Sequence, residues 1–392
     1  MANGPLIIRG LATISSLGAS PEEVAASLRQ SRPNVSSLSG LPVFRLTKEG
    51  EAAVSYCAED RRFASLDRTT LLALASASQT RKALARSSTA VHCVSIGSAR
   101  GATTSLESSI LQHAEGTSPI AVETSPITTA GNISSWVAQD FAGVAKQRRP
   151  IASIGTSMTC TSAFHSLLIA KAFLDSGMAD TAIFGGAESC LTPYTLAQLS
   201  ALRIYAQEAR DFPCRPCFDS ARRINTVTLG EGAGTALLRH DDGSRRTGDL
   251  ALLGVGWSLE TTPSATGVSE DGNGFEEAIT RAMASLPAHR SVDAVVLHAP
   301  GSAKGDAAEL SAVRRLLGDV PMCTTKHLTG HTYGASGMVS LAMAQWLLSG
   351  GIWEGVPYAS RVLSQKFEAP RTVLINTAGF GGNSISIIVG HP

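Results

Sequence analysis

The chain has 392 residues, 43% hydrophobic and only 17% charged, enough for a large core and for two domains or one duplicated unit. A net charge of +1 and 5% aromatic content exclude the global basic field and stacking surfaces that nucleic-acid binding uses. No stretch reaches ~18 consecutive apolar residues, so no membrane span is expected. Seven scattered cysteines and an N-terminus without a charged leader predict a reducing, cytoplasmic setting. In chain order, apolar runs at 6–8, 91–96, 150–154, 182–184, 235–238, 251–255, 294–297, 373–375 and 385–389 predict strands. Helical patterns interleave with them at 21–30, 69–85, 163–174, 275–284, 307–317 and 337–348. This alternation predicts an α/β protein with mixed, buried sheets. The most polar stretch, 240–249, separates two halves of similar content and reads as a surface link.

The chemistry-bearing residues lie where these elements meet. Cys160, in Gly155-Thr156-Ser157-Met158-Thr159-Cys160-Thr161-Ser162-Ala163, falls between a predicted strand and a predicted helix. A helix start offers free N–H groups and partial positive charge, an environment that favours the nucleophilic thiolate. Most intracellular cysteines are simply small buried hydrophobes, and the other six take that reading. Cys214-Arg215-Pro216-Cys217 has zinc or redox spacing, but no second pair and no matching histidines accompany it, so no metal is assigned. His298 closes the very apolar run Val295-Val296-Leu297 and meets the turn Ala299-Pro300-Gly301-Ser302. His331 lies between Gly330 and Gly334, which permit close backbone approach. His165, one turn beyond Cys160, reads as packing. Gly379-Phe380-Gly381-Gly382 precedes the last strand and reads either as a tight turn or as part of a site; no phosphate-loop pattern is present.

These segments, in this order, resemble the β-ketoacyl synthases, the condensing enzymes of fatty-acid and polyketide assembly. The resemblance also takes in residues 7–18, Phe184-Gly185-Gly186-Ala187-Glu188-Ser189 and Arg215-Pro216-Cys217-Phe218-Asp219. It continues through Leu229-Gly230-Glu231-Gly232-Ala233-Gly234 and closes on Asn376-Thr377-Ala378-Gly379-Phe380-Gly381-Gly382-Asn383. It implies a thiolase-like fold of duplicated α/β half-domains in five αβαβα layers. Residues 1–240 would carry the nucleophile and 250–392 the catalytic histidines.

The implied activity is a decarboxylative Claisen condensation of a Cys160 thioester with malonyl-[acyl-carrier protein]. His298 and His331, as neutral imidazoles, would donate to the developing enolate. The Phe380 N–H would join that of Cys160 as an oxyanion hole, and the Phe380 ring would gate acyl entry. Lys326 and Glu309 stand at the family's spacings from the histidines; they read either as a solvated pair or, as favoured here, as a buried network that orients the rings. Pro300, Ser302, Gly379 and Gly381 would line the substrate site. No cofactor is expected beyond the phosphopantetheine that carries the substrate.

Departures are informative. The family's His-Gly-Thr-x-Thr here reads His298-Ala299-Pro300-Gly301-Ser302, and its Arg-Asp-Gly-Phe becomes Arg222-Arg223-Ile224-Asn225. The Ala-Pro-Gly turn, with residues 266–272, resembles synthases of bacterial pigments such as aryl polyenes. A thiolase would place a second cysteine within 376–384, and none is there. A chain-length factor, the inactive partner of some ketosynthases, would lack Cys160. The resemblance implies a homodimer through about 124–141, or a heterodimer with such a factor. An acidic carrier protein needs a basic patch, for which Arg61, Arg62 and Arg68 are candidates, with a solvated helix entry as the alternative.

Overall fold

The computed structural model describes residues 5–84, 90–145, 150–208, 210–221, 223–261 and 269–392. Arg222 and residues 266–268, part of two departures noted above, lie outside them. Ten strands form one mixed sheet built from two sets of five. The first set comprises β1 (Leu6–Ile14), β2 (Cys93–Gly97), β3 (Ala152–Thr156), β4 (Thr181–Glu188) and β5 (Gly232–His240). The second comprises β6 (Leu250–Leu259), β7 (Ala294–Val296), β8 (Met322–Cys323), β9 (Thr372–Gly379) and β10 (Asn383–Gly390).

The spatial orders are β3-β2-β4-β5-β1 and β8-β7-β9-β10-β6, one pattern used twice. In each set the second strand runs parallel to two neighbours, and the remaining pairings are antiparallel. The sets join where β1 meets β6 through Leu6–Leu252, Ile7–Ala251 and Ile8–Leu250. Most of these strands are buried along their length, which is why they read as continuous apolar runs rather than alternating ones.

Helices fill the same slots in both halves. The first half has α1 (Arg68–Leu84), α2 (Asn132–Ala145) and α3 (Ser162–Asp175). The second has α4 (Asn273–Ala284), α5 (Ala303–Leu317) and α6 (Ser336–Leu348). The pairs α1/α2 and α4/α5 cover the two outer faces, while α3 and α6 pack on each other between the halves of the sheet. This gives the five layers of the thiolase-like fold. α6 is apolar nearly all round, as its central position demands. Among the described residues, no helix is long and apolar enough to cross a membrane.

Two local expectations shift. The helix expected from 307 begins at Ala303, because Ser302 caps it by accepting the Gly305 N–H at 3.4 Å. The polar 240–249 link is not wholly superficial. Asp249 turns inward and pairs with buried Arg9 at 2.6 Å.

Candidate active site

β3 ends at Thr156, and a single 3₁₀ turn, Thr159–Thr161, leads into α3. Cys160 sits in that turn at 5% exposure. Thr159 before it has φ +52°, a left-handed conformation that costs a β-branched residue ~1–3 kcal/mol and is typical of functional turns. His331 arrives from the other half. Its N–H donates to the Thr228 carbonyl at 2.7 Å and its carbonyl accepts the Gly230 N–H at 3.1 Å, so its backbone is pinned on both sides. Its Nε2 lies 2.9 Å from Cys160 Sγ. The His298 ring stands edge-on to that of His331, with centroids 5.2 Å apart. Three segments far apart in sequence thus meet at one point between the two halves.

Burial sets the charges. It pushes His331 down to about 3, with Lys326 adding to the effect, and pushes His298 well below its ordinary range with help from His331 and Lys326. Both rings are therefore neutral, each with one N–H to donate. Burial also pushes the Cys160 thiol up to about 12, and the Glu188 carboxylate adds to that. The helix start does not outweigh this, so the resting sulfur is a thiol and not the thiolate expected from its position.

Lys326 is fully buried, is pushed down to about 8 by burial, and its Nζ has no hydrogen-bond partner among the described residues. Glu309 is also buried, and burial raises its carboxyl. It accepts the His298 and Ala299 N–H groups at 2.8 Å each and the Asn376 amide at 3.0 Å. These burials rule out the solvated pair. No ion pair within 4.0 Å joins Lys326 to Glu309, and Glu309 holds the backbone of His298 rather than its ring.

Two sequence models of one family match the chain. The β-ketoacyl synthase N-terminal domain matches residues 4–243 and the C-terminal domain matches 251–355. The chain belongs to the β-ketoacyl synthase family. It is an acyltransferase of carbon-chain elongation. The synthase is 27% identical over 363 residues to the tetracenomycin polyketide synthase ketoacyl synthase alpha subunit of Streptomyces glaucescens, covering 85% of this chain and 83% of that one. It is 27% identical over 288 residues to the 3-oxoacyl-[acyl-carrier-protein] synthase 2 of Vibrio cholerae, covering 67% and 68%. Its fold matches the ishigamide ketosynthase/chain length factor structure with a TM-score of 0.85, over the full length of both chains at 18% identity.

The other predicted residues of the synthase fall into place unevenly. Gly379 ends β9 against the nucleophile turn, where a methyl would strike the Thr159 hydroxyl and come within 3.1 Å of the Cys160 nitrogen. Half-buried Phe380 follows, and its carbonyl accepts from Thr159 Oγ1 at 3.4 Å. Gly381 is exposed at the loop tip. The Pro300 carbonyl accepts from the Cys214 thiol at 3.5 Å. The Ser302 hydroxyl is engaged in its helix cap. The Cys217 N–H donates to Asp306 at 2.8 Å. His165 bonds back to the Thr161 hydroxyl and carbonyl, as its packing role suggests.

Two of the three arginines of the expected basic patch are engaged in ion pairs. Arg68 is committed to Glu51 at 2.6 Å and Glu231 at 2.7 Å, and Arg62 to Asp60 at 2.6 Å. Sequence reasoning assigned nothing to Glu188, Tyr333 or Thr159. A carboxylate closing a strand with no exposed residue was the available signal for Glu188. Left-handed Thr159 and Tyr333 offered none.

Proposed function

We propose that Cys160 is the acyl-accepting nucleophile of the synthase and that His298 and His331 stabilise the malonyl-derived enolate. The 2.9 Å approach of His331 Nε2 to Cys160 Sγ, with the His298 ring beside it, carries this reading. The Cys160 sulfur attacks the acyl thioester of a carrier protein. Its proton passes to the departing carrier thiolate while the His331 Nε2–H stays beside the sulfur, so a buried thiol needs no resting thiolate. Malonyl-carrier then enters. The bond to its carboxyl group breaks, carbon dioxide leaves, and the electron pair moves to the thioester oxygen, where one N–H of each neutral histidine receives it. The enolate carbon attacks the Cys160 thioester, a C–C bond forms, and the C–S bond breaks with its electron pair on sulfur, which takes up a proton from water to restore the thiol.

The backbone N–H groups of Cys160 and Phe380 serve as the oxyanion hole for the two carbonyl attacks, which the packing of Gly379 on the turn supports. Lys326 and Glu309 are positioning residues. Pro300, Ser302, Gly379 and Gly381 line the carrier-arm entry. The half-domains divide as 1–240 and 250–392, supported by their repeated strand order. The carrier is an acyl carrier protein, because the relatives' names specify one. The enzyme is a homodimer or pairs with a chain-length-factor-like subunit in the cytoplasm. Exposed Leu106, Ile110, Leu111, Ile120 and Val122 support a partner covering the region beside 124–141. The pathway is fatty-acid or polyketide elongation, with the Ala299-Pro300-Gly301 turn favouring the aryl polyene type.

Mass spectrometry of protein incubated with acyl-carrier donors tests the assignment. An acyl adduct on Cys160 is expected, and an adduct elsewhere, or none with any carrier donor, overturns it.

A further inference from the structure

Glu188 ends β4 with its side chain fully enclosed. Its Oε1 accepts from Ser98 Oγ at 3.1 Å and the Arg100 N–H at 3.2 Å. Its Oε2 accepts from the Ala99 N–H at 2.6 Å and the Gly334 N–H at 3.1 Å. Three of these donors belong to the loop after β2. The fourth belongs to the turn that follows His331 in the other half, so this one carboxylate ties the two halves together beside the reacting pair.

Gly334 must be glycine for that bond. A methyl there would stand 2.6 Å from the Ala99 nitrogen and 2.8 Å from Glu188 Oε2. Between Gly334 and His331 lies Tyr333, whose ring rests 5.0 Å from the His331 ring at 30°. A short rigid path therefore runs from the carboxylate through the Gly334 N–H and Tyr333 to the imidazole. The carboxylate also acts at close range on Cys160, Cys190 and Tyr333, with Arg100 the nearby cation and Glu231 a second acid beside Cys190.

We propose that Glu188 is a positioning residue of the condensation site, holding the His331 turn against the 98–101 loop and opposing thiolate formation at Cys160. This rests on the reading that Cys160 and His331 are the reacting pair. Burial pushes Glu188 up to about 7 against the pull of its four donors, so its charge sits on a balance that only this cage maintains.

Glu188→Gln removes the charge and turns one acceptor into a donor facing N–H groups. Malonyl decarboxylation should then fall by about 10²-fold, the usual result of misplacing a catalytic group by an ångström. Alkylation of Cys160 by iodoacetamide at a fixed pH near 8 should instead become faster, by about tenfold for each pK unit released. A purely structural residue would slow the first without speeding the second. Glu188→Asp keeps the charge but withdraws it by one methylene, so decarboxylation should fall while alkylation stays at the wild-type rate. If folded Glu188→Gln keeps both rates within about twofold of wild type, the proposal is overturned, since neither positioning nor charge then matters. If Glu188→Gln does not fold, full decarboxylation by Glu188→Asp overturns it instead. Wild-type protein unable to decarboxylate malonyl-carrier would sink the functional reading, and the alkylation comparison would still report on Glu188.

Discussion

Residues 159–162 and 333–336 enter a central helix through the same turn. Each turn is one 3₁₀ unit whose first residue is left-handed, Thr159 at φ +52° and Tyr333 at φ +42°. Each helix then opens with a serine, Ser162 and Ser336. The middle position differs. In the first half it is Cys160, which faces the reacting centre. In the second it is Gly334, which has no room for a side chain and gives its N–H to Glu188. The approach differs too. Two residues, 157 and 158, link β3 to its turn, whereas nine, 324–332, link β8 to its own, and these nine carry both Lys326 and His331. The duplicated frame is thus asymmetric at two places, and both lie at the proposed site. One turn carries the Cys160 sulfur, and the longer lead-in to the other brings His331 against it.

The largest test of this asymmetry removes the sulfur. Cys160→Ala should reduce acyl loading by on the order of 10⁶, the scale for deleting a covalent nucleophile, while circular dichroism and melting stay near wild type. Normal loading would mean that the two turns are not functionally distinct.

Next come the donors. His298→Ala and His331→Ala should each slow malonyl decarboxylation by ~10²–10³, the cost of removing one oxyanion donor. Acyl loading should survive better in His298→Ala, because it is His331 Nε2 that lies 2.9 Å from the sulfur. Equal loss of loading in both variants would place the rings in a structural role.

A pH titration sharpens the electrostatic side. With the thiol raised to about 12, the thiolate fraction is small throughout the working range. Alkylation of Cys160 should therefore climb about tenfold per pH unit between about pH 7 and 9, with no plateau. A plateau near neutrality would show a resting thiolate and a dominant helix-start effect. The histidines, lowered by burial, stay neutral across the same range, so no histidine titration should appear in the decarboxylation profile there.

The smallest effect concerns the glycine turn. Gly334→Ala places a methyl against the Ala99 backbone and Glu188, an overpacking that should cost ~1–3 kcal/mol and lower the melting temperature. An unchanged melting temperature would mean that the second turn has slack that the first lacks.

By itself the sequence determined the alternation of buried strands and helices and the doubling of the chain, and it singled out Cys160, His298 and His331, which the fold brings together. Those three were legible because a cysteine at a strand–helix junction and histidines beside glycine or proline turns are locally unusual. Burial of Lys326 and Glu309 was inferred from spacing, but the hold of Glu309 on the His298 backbone was not. Tertiary structure alone decided which polar groups were already engaged. Ser302 is used by a helix cap, Arg68 by Glu51 and Glu231, and Asp249 by Arg9. Each engagement joins residues distant in the chain or depends on where a helix starts, so local pattern carries no trace of it. The resting state of Cys160 was decided the same way. A helix start can be read from neighbouring residues, but desolvation depends on what the opposite half places over the sulfur, and here that outweighs the helix.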